Sequence, residues 1–136
     1  MKSDYKIVKH ELSSTIASIA MVEELIDQFK KENKIPEVLY GNCLIATTEA
    51  VTNAINHGNK LDESKKILLQ FKFRKKEIVV EIMDEGSGFD YANLADPTAE
   101  NNLEKTEGRG VFIMESLCDK VDFEEGGKKI VLHFSY

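Results

Sequence analysis

The sequence predicts an α+β fold in one domain spanning residues 1–136: a two-layer sandwich, with a mostly antiparallel sheet and helices on one face. Three observations predict it. Two early stretches repeat apolar residues every three or four positions, the period of a helix half-buried against a core. Later stretches alternate apolar and polar residues with period two and double back over polar turns. The resulting order is strand, helix, helix, two strands, loop, helix, two strands. That order lacks the alternating strands and helices of a parallel Rossmann sheet.

Ile7, Val8 and Leu12 stand among polar residues and predict a short strand over residues 6–12. From Ser14 the period changes. Ile16, Ile19, Val22, Ile26 and Phe29 line one face of a first helix, with Ser13 or Ser14 as its N-cap. A second helix runs from about Pro36 to His57, with Pro36 in the first turn and Gly58 as the C-terminal cap. Ile67, Leu69, Phe71 and Phe73 form one strand, and Ile78, Val80 and Ile82 the next. Arg74-Lys75-Lys76 turns between them. A long irregular segment, about residues 91–107, leads to a helix near residues 111–118. A last hairpin pairs residues 121–123 with 130–134 across Glu124-Glu125-Gly126-Gly127-Lys128.

Composition narrows the function. Among 136 residues, 24 acidic side chains face 18 basic ones, and only Arg74 and Arg109 are arginines, which argues against nucleic acid as a partner. No apolar run approaches the roughly 20 residues of a membrane span. The charged first six residues argue against a signal peptide. Cys43 and Cys118 have no metal-type spacing and suit a reducing cytoplasm.

Three polar clusters interrupt the apolar patterns. In the first, Glu49, Asn53 and His57 sit at i, i+4 and i+8 and stack along one side of the second helix. With Ala50 at the centre of the apolar face, Asn53 falls about 60° and Glu49 about 100° from that centre. Both are on its margin, where they can reach a ligand lying against the helix. An amide oxygen suits Mg²⁺, which shares its ligands with phosphates and water. A carboxylate one turn away can take a proton from an attacking hydroxyl. Thr52, Asn53 and Asn56 in mid-helix also run against helix propensity.

The second cluster, Asp84-Glu85-Gly86-Ser87-Gly88-Phe89-Asp90, follows a strand directly. Glycines there let the backbone approach a ligand closely, and Asp84 can accept a hydrogen bond from an exocyclic amine such as that of adenine. Tyr91 occupies the third glycine position of a dinucleotide fingerprint, and no Gly-Lys-Ser/Thr exists for a Walker loop. The third cluster, Gly108-Arg109-Gly110-Val111-Phe112, opens a helix, where bare N–H groups and the helix dipole favour an anion. Taken singly, the clusters also fit plainer roles: a helix margin, a strand-ending turn and a hinge.

Their order and spacing resemble the Bergerat ATP-binding fold of gyrase, ninety-kilodalton heat-shock chaperones, histidine kinases and mismatch-repair ATPases. The chain is most similar there to the anti-sigma-factor serine/threonine kinases. The residues that carry this are 49–58, Asp84 to Asp90, the Asp96-Pro97 step and residues 108–114. The resemblance implies that Asn53 holds the Mg²⁺ of a bound ATP and that Glu49 is the general base acting on a substrate serine. Asp84 would hold the adenine amine, with Gly86 and Gly88 keeping the backbone close. Gly108, Arg109 and Gly110 would close a lid, about residues 91–107, over the phosphates, with Val111 beside them in the cofactor site. Relatives often carry an arginine just before these glycines; Lys105, Thr106 and Glu107 stand here.

The implied partners are a small anti-anti-sigma (STAS-type) protein, a sigma factor and a second copy of the chain, in the cytoplasm. The alternatives are a non-catalytic nucleotide-binding partner-switch module and a detached histidine-kinase ATPase domain. His10-Glu11-Leu12-Ser13 resembles a phosphoacceptor box, but about 40 residues before Glu49 are too few for the helical hairpin that carries one. His10 is read as a strand residue.

Overall fold

A computed structural model of the chain describes residues 5–86 and 106–136. Gly88, the Asp96-Pro97 step and residues 91–105 of the expected lid lie outside the described residues. The elements follow the expected order: β1 (Lys6–Ser13), α1 (Ala17–Lys31), α2 (Glu37–Asn53), β2 (Lys66–Arg74), β3 (Glu77–Met83), α3 (Thr106–Leu117), β4 (Lys120–Glu124) and β5 (Lys129–Ser135). The five strands form one sheet in the order β1-β2-β3-β5-β4, and every neighbouring pair is antiparallel. His10 lies in β1 opposite Leu69.

Period-two patterning decides which face of the sheet is covered. Ile67, Leu69, Phe71 and Phe73 of β2 are buried, and so are Ile78, Val80 and Ile82 of β3 and Ile130, Leu132 and Phe134 of β5. Against them α1 brings Val22, Ile26 and Phe29, and α2 brings Cys43, Ala46, Ala50 and Val51. Phe29 meets the rings of Phe71 and Phe73 edge-on, at centroid distances of 4.8 and 5.0 Å. Small residues on α2 let it lie close to the sheet, flanked by α1 and α3. On the opposite face Glu81 joins Lys72 at 2.9 Å, Lys129 at 3.5 Å and the Gln70 amide at 2.9 Å.

Local sequence sets the turns. The β2–β3 turn places Lys76 at φ 62° and closes with Arg74 Nε donating to Glu77 Oε1 at 3.0 Å. The β4–β5 turn places Gly126 and Gly127 at φ 70° and 95°, a region that favours glycine.

Three boundaries in the first half of the chain differ from the sequence expectation. Helix α1 starts at Ala17 with Ile16 in the cap position, and no side chain caps it. Ser14 is buried, and its hydroxyl donates to the Lys65 carbonyl at 3.0 Å, tying the β1–α1 corner to β2. That tertiary bond takes the hydroxyl a cap would use, and Ile16 is left exposed. Pro36 sits at the cap of α2, with extended backbone, and not inside the first turn. The second helix is also not one α-helix to His57. It ends at Asn53 and continues as a π turn over Ala54–Gly58, in which the Asn59 N–H donates to the Ala54 carbonyl at 2.8 Å.

Candidate functional site

The three polar clusters come from one end of the sandwich: the C-terminal end of α2 with its π turn, the end of β3, and the start of α3. Threonines prepare α2 for this role. Thr48 Oγ1 donates to the Leu44 carbonyl at 2.9 Å and Thr52 Oγ1 to the Thr48 carbonyl at 2.6 Å, so neither hydroxyl is left unpaired on the margin.

Glu49 and Asn53 face the same point. A Cβ placed on Gly110 would lie 3.3 Å from Glu49 Oε1, 3.3 Å from Asn53 Oδ1 and 3.2 Å from Asn53 Nδ2. Asn53 is buried and Glu49 half-buried. An acid and an amide one turn apart are thus brought together beneath a residue with no side chain. His57, one turn further, falls inside the π turn.

The second grouping was only half legible in the sequence. Asp84 is buried at the end of β3, where its N–H donates to the Lys128 carbonyl at 2.9 Å. Its Oδ1 accepts the Gly86 N–H at 2.7 Å. Burial raises the Asp84 pKa above the ordinary carboxylate value, against the lowering effects of the Gly86 N–H and of Lys128 and Lys65. A Cβ on Gly86 would overlap the Gly58 carbonyl oxygen, and one on Gly58 would overlap the Asp84 carboxylate. Gly58, expected only as a helix cap, is therefore the surface on which Asp84 rests. Asn59, not singled out in the sequence, is 1% exposed, and its side chain accepts the Glu85 N–H at 2.8 Å. The combination His57-Gly58-Asn59, a glycine between two side chains that can hydrogen-bond, was the available signal.

The third cluster is placed differently from the expectation. Gly108, Arg109, Gly110 and Val111 lie within the first two turns of α3, which begins at Thr106. The glycines are part of the helix and do not precede it. Gly110 is buried on the Glu49–Asn53 pair, and Val111 packs on the edge of the core. Packing of α3 on α2 favours helix in a segment whose glycines alone predict a break. Among the described residues no group of three His, Cys, Asp or Glu side chains could hold a metal ion, and no helix is long and apolar enough to cross a membrane.

Known proteins share this plan. The chain is 34% identical over 93 residues to an anti-sigma F factor of Clostridium perfringens, covering 64% of this chain and 66% of the relative. It is 35% identical over 83 residues to the serine-protein kinase RsbW of Oceanobacillus iheyensis, covering 57% and 52%. The chain thus spans less than two thirds of the length of these curated relatives. A solved structure of the RsbU and RsbW domains of Rv1364c from Mycobacterium tuberculosis superposes with a TM-score of 0.69, over 96% of this chain and 32% of that one; at 16% identity the likeness is one of fold. The family model described as a histidine kinase-like ATPase domain matches residues 12–134. With an α+β sandwich of the same plan, the chain belongs to the histidine kinase-like ATPase domain family.

Proposed function

We propose that the protein is an ATP-dependent serine/threonine protein kinase of the anti-sigma type, acting on a serine of a small anti-anti-sigma (STAS-type) protein and thereby controlling a sigma factor. The observation that carries this reading is the convergence of the Glu49 carboxylate and the Asn53 amide on one point beside Gly110. Phosphoryl transfer asks chiefly for positioning, charge neutralisation and a base for the incoming hydroxyl. Glu49 supplies the base, taking the serine proton as the oxygen attacks the γ-phosphorus of ATP, whose bond to the β,γ-bridging oxygen breaks as ADP leaves.

Asn53 would hold Mg²⁺ by its amide oxygen. A single neutral protein ligand fits an ion that takes its other ligands from phosphates and water, and Mg²⁺ so held would neutralise the phosphate charge. Asp84 accepts a hydrogen bond from the adenine amine, with Gly86 leaving the backbone bare beside the base; Gly88 is assigned to the same contact by the sequence motif. Gly108, Arg109, Gly110 and Val111 bring the start of α3 over the phosphates. The names of the anti-sigma F factor and RsbW relatives support the partner class. A cytoplasmic homodimer, with no direct nucleic-acid or membrane partner, completes the reading.

The test is incubation with ATP, Mg²⁺ and an anti-anti-sigma protein. Serine phosphorylation is expected in the wild type, with a loss of about 10²–10⁴-fold in Glu49→Gln at unchanged ATP affinity. Equal activity in Glu49→Gln ends the reading of Glu49. Tight ATP binding without any transfer favours the non-catalytic partner-switch module, and phosphohistidine on a separate partner favours the detached histidine-kinase domain. Calorimetric titration with ATP, with and without Mg²⁺, should show that Asn53→Ala loses the Mg²⁺-dependent part of the affinity.

A further inference from the structure

We infer that Asn59 is a positioning residue for base recognition, holding the bend at Asp84, Glu85 and Gly86 against the end of α2. This rests on the reading of Asp84 as the acceptor for the adenine amine.

The bend presents three successive backbone N–H groups, and each has a different partner. Asp84 N–H donates to the Lys128 carbonyl at 2.9 Å, and Gly86 N–H donates to Asp84 Oδ1 at 2.7 Å. The first bond ties the bend to the β4–β5 turn, and the second is internal to it. Only the middle bond, Glu85 N–H to Asn59 Oδ1 at 2.8 Å, crosses to the chain that leaves α2. It spans 26 residues of sequence. Asn59 directly follows Gly58, on whose bare backbone the Asp84 carboxylate lies. One short segment therefore sets both how near Asp84 approaches α2 and how the backbone after it is oriented.

The chemistry of the site calls for an amide. Asn59 is 1% exposed, so each of its polar atoms needs a partner. Its Nδ2 donates to Ser14 Oγ at 2.5 Å and to the Lys66 carbonyl at 3.0 Å, while Oδ1 takes the Glu85 N–H. The partners themselves fix which end is nitrogen, because a backbone carbonyl must meet a donor and a backbone N–H an acceptor. The Ser14 hydroxyl passes its own proton on to the Lys65 carbonyl. The amide thus pins four segments: the β1–α1 corner, the segment after the π turn, the start of β2 and the bend after β3. A carboxylate keeps the acceptor but loses both donors; a methyl group loses everything.

Inosine triphosphate separates this role from a general loss of structure. It carries an oxygen where ATP carries the exocyclic amine, and a proton on N1 where ATP has an acceptor, so the ratio of its Kd to that of ATP reads the edge of the base that Asp84 is assigned to hold. The wild type should prefer ATP by at least about tenfold. In Asn59→Ala the preference should fall severalfold toward unity. Ser14→Ala breaks the same junction without touching the Glu85 bond, and should keep the wild-type ratio even if it melts earlier. Asn59→Asp keeps the acceptor but sets a buried carboxylate oxygen against the Lys66 carbonyl, so its preference should fall between those of the wild type and Asn59→Ala. A wild type that binds ATP and inosine triphosphate equally overturns the reading of Asp84. A wild type that discriminates, with Asn59→Ala discriminating equally well, overturns the role of Asn59 and leaves Asp84 standing. Should Asn59→Ala not fold, amide exchange on the wild type decides: the Glu85 N–H should be protected although its side chain is exposed, and exchange at the rate of a free amide refutes the inference.

Discussion

Gly58 lies so close to Asp84 that a single added methyl group would overlap the carboxylate. The two residues come from the end of the π turn that follows α2 and from the end of β3, and neither can be repositioned without moving the other. Gly58→Ala must push Asp84 out of its place or distort the π turn. Overpacking of this kind costs about 1–3 kcal/mol. The expected result is a folded protein with a lower melting temperature and ATP affinity reduced at least about tenfold, checked by thermal melts and calorimetry. Wild-type affinity in a folded Gly58→Ala would detach Gly58 from the nucleotide site.

Gly110→Ala should behave in the opposite sense on stability. Alanine is favoured over glycine within a helix by about 1 kcal/mol, and its Cβ would meet Glu49 and Asn53 at 3.2–3.3 Å, tight but not overlapping. The melting temperature should hold or rise slightly. Phosphoryl transfer should fall by about tenfold or more, since displacing a positioned group by a fraction of an ångström is enough to slow a reaction. A kinase assay beside a melting curve tests both halves.

Asp84 makes a pH prediction with a definite sign. Burial raises its pKa, so the folded protein holds this proton more tightly than the unfolded chain. The group therefore contributes stability below the ordinary carboxylate pKa, about 3.9, and this is lost as pH rises through the raised folded value. Asp84→Asn removes that loss. Denaturant titrations from about pH 4 to about pH 8 should show the variant at least as stable as wild type at neutral pH. ATP affinity should nevertheless drop. A variant clearly less stable at neutral pH would contradict the account.

Both cysteine thiols are pushed up to about 12, chiefly by burial. Almost no thiolate exists at neutral pH, so alkylation should be slow in the native protein and fast after unfolding. Cys43 is buried and Cys118 half-buried, so rapid labelling of Cys43 in the native protein would show that α2 leaves the core readily.

Phe71 is fully buried and touches both Phe29 and Phe73. Phe71→Ala should cost about 3–5 kcal/mol, a large share of the stability of a domain this size. Urea denaturation measures it directly.

The sheet was legible because period two is a strong signal where one face is buried: Ile67 to Phe73 and Ile78 to Ile82 fall where they were expected. Glu49 and Asn53 were legible for a related reason, since helical geometry alone places them on one margin. The start of α3 was not. Gly108 and Gly110 weaken a helix locally, and only packing on α2 reverses that preference. Ser14 misled in the same way, its hydroxyl serving β2 and not the helix behind it. The roles of Gly58 and Asn59 depend on contacts with residues some 26 positions away, and the local signal, a glycine between His57 and Asn59, does not say what they touch.

The position of β5 has a consequence for how the molecule comes into being. Last among the described strands, it lies between β3 and β4 and pairs with both. During synthesis β3 has an open flank until β5 leaves the ribosome, and the Lys128 carbonyl that anchors Asp84 arrives only just ahead of it. A nascent chain halted before that point exposes a row of unpaired amides to its neighbours, with Asp84 still without its anchor.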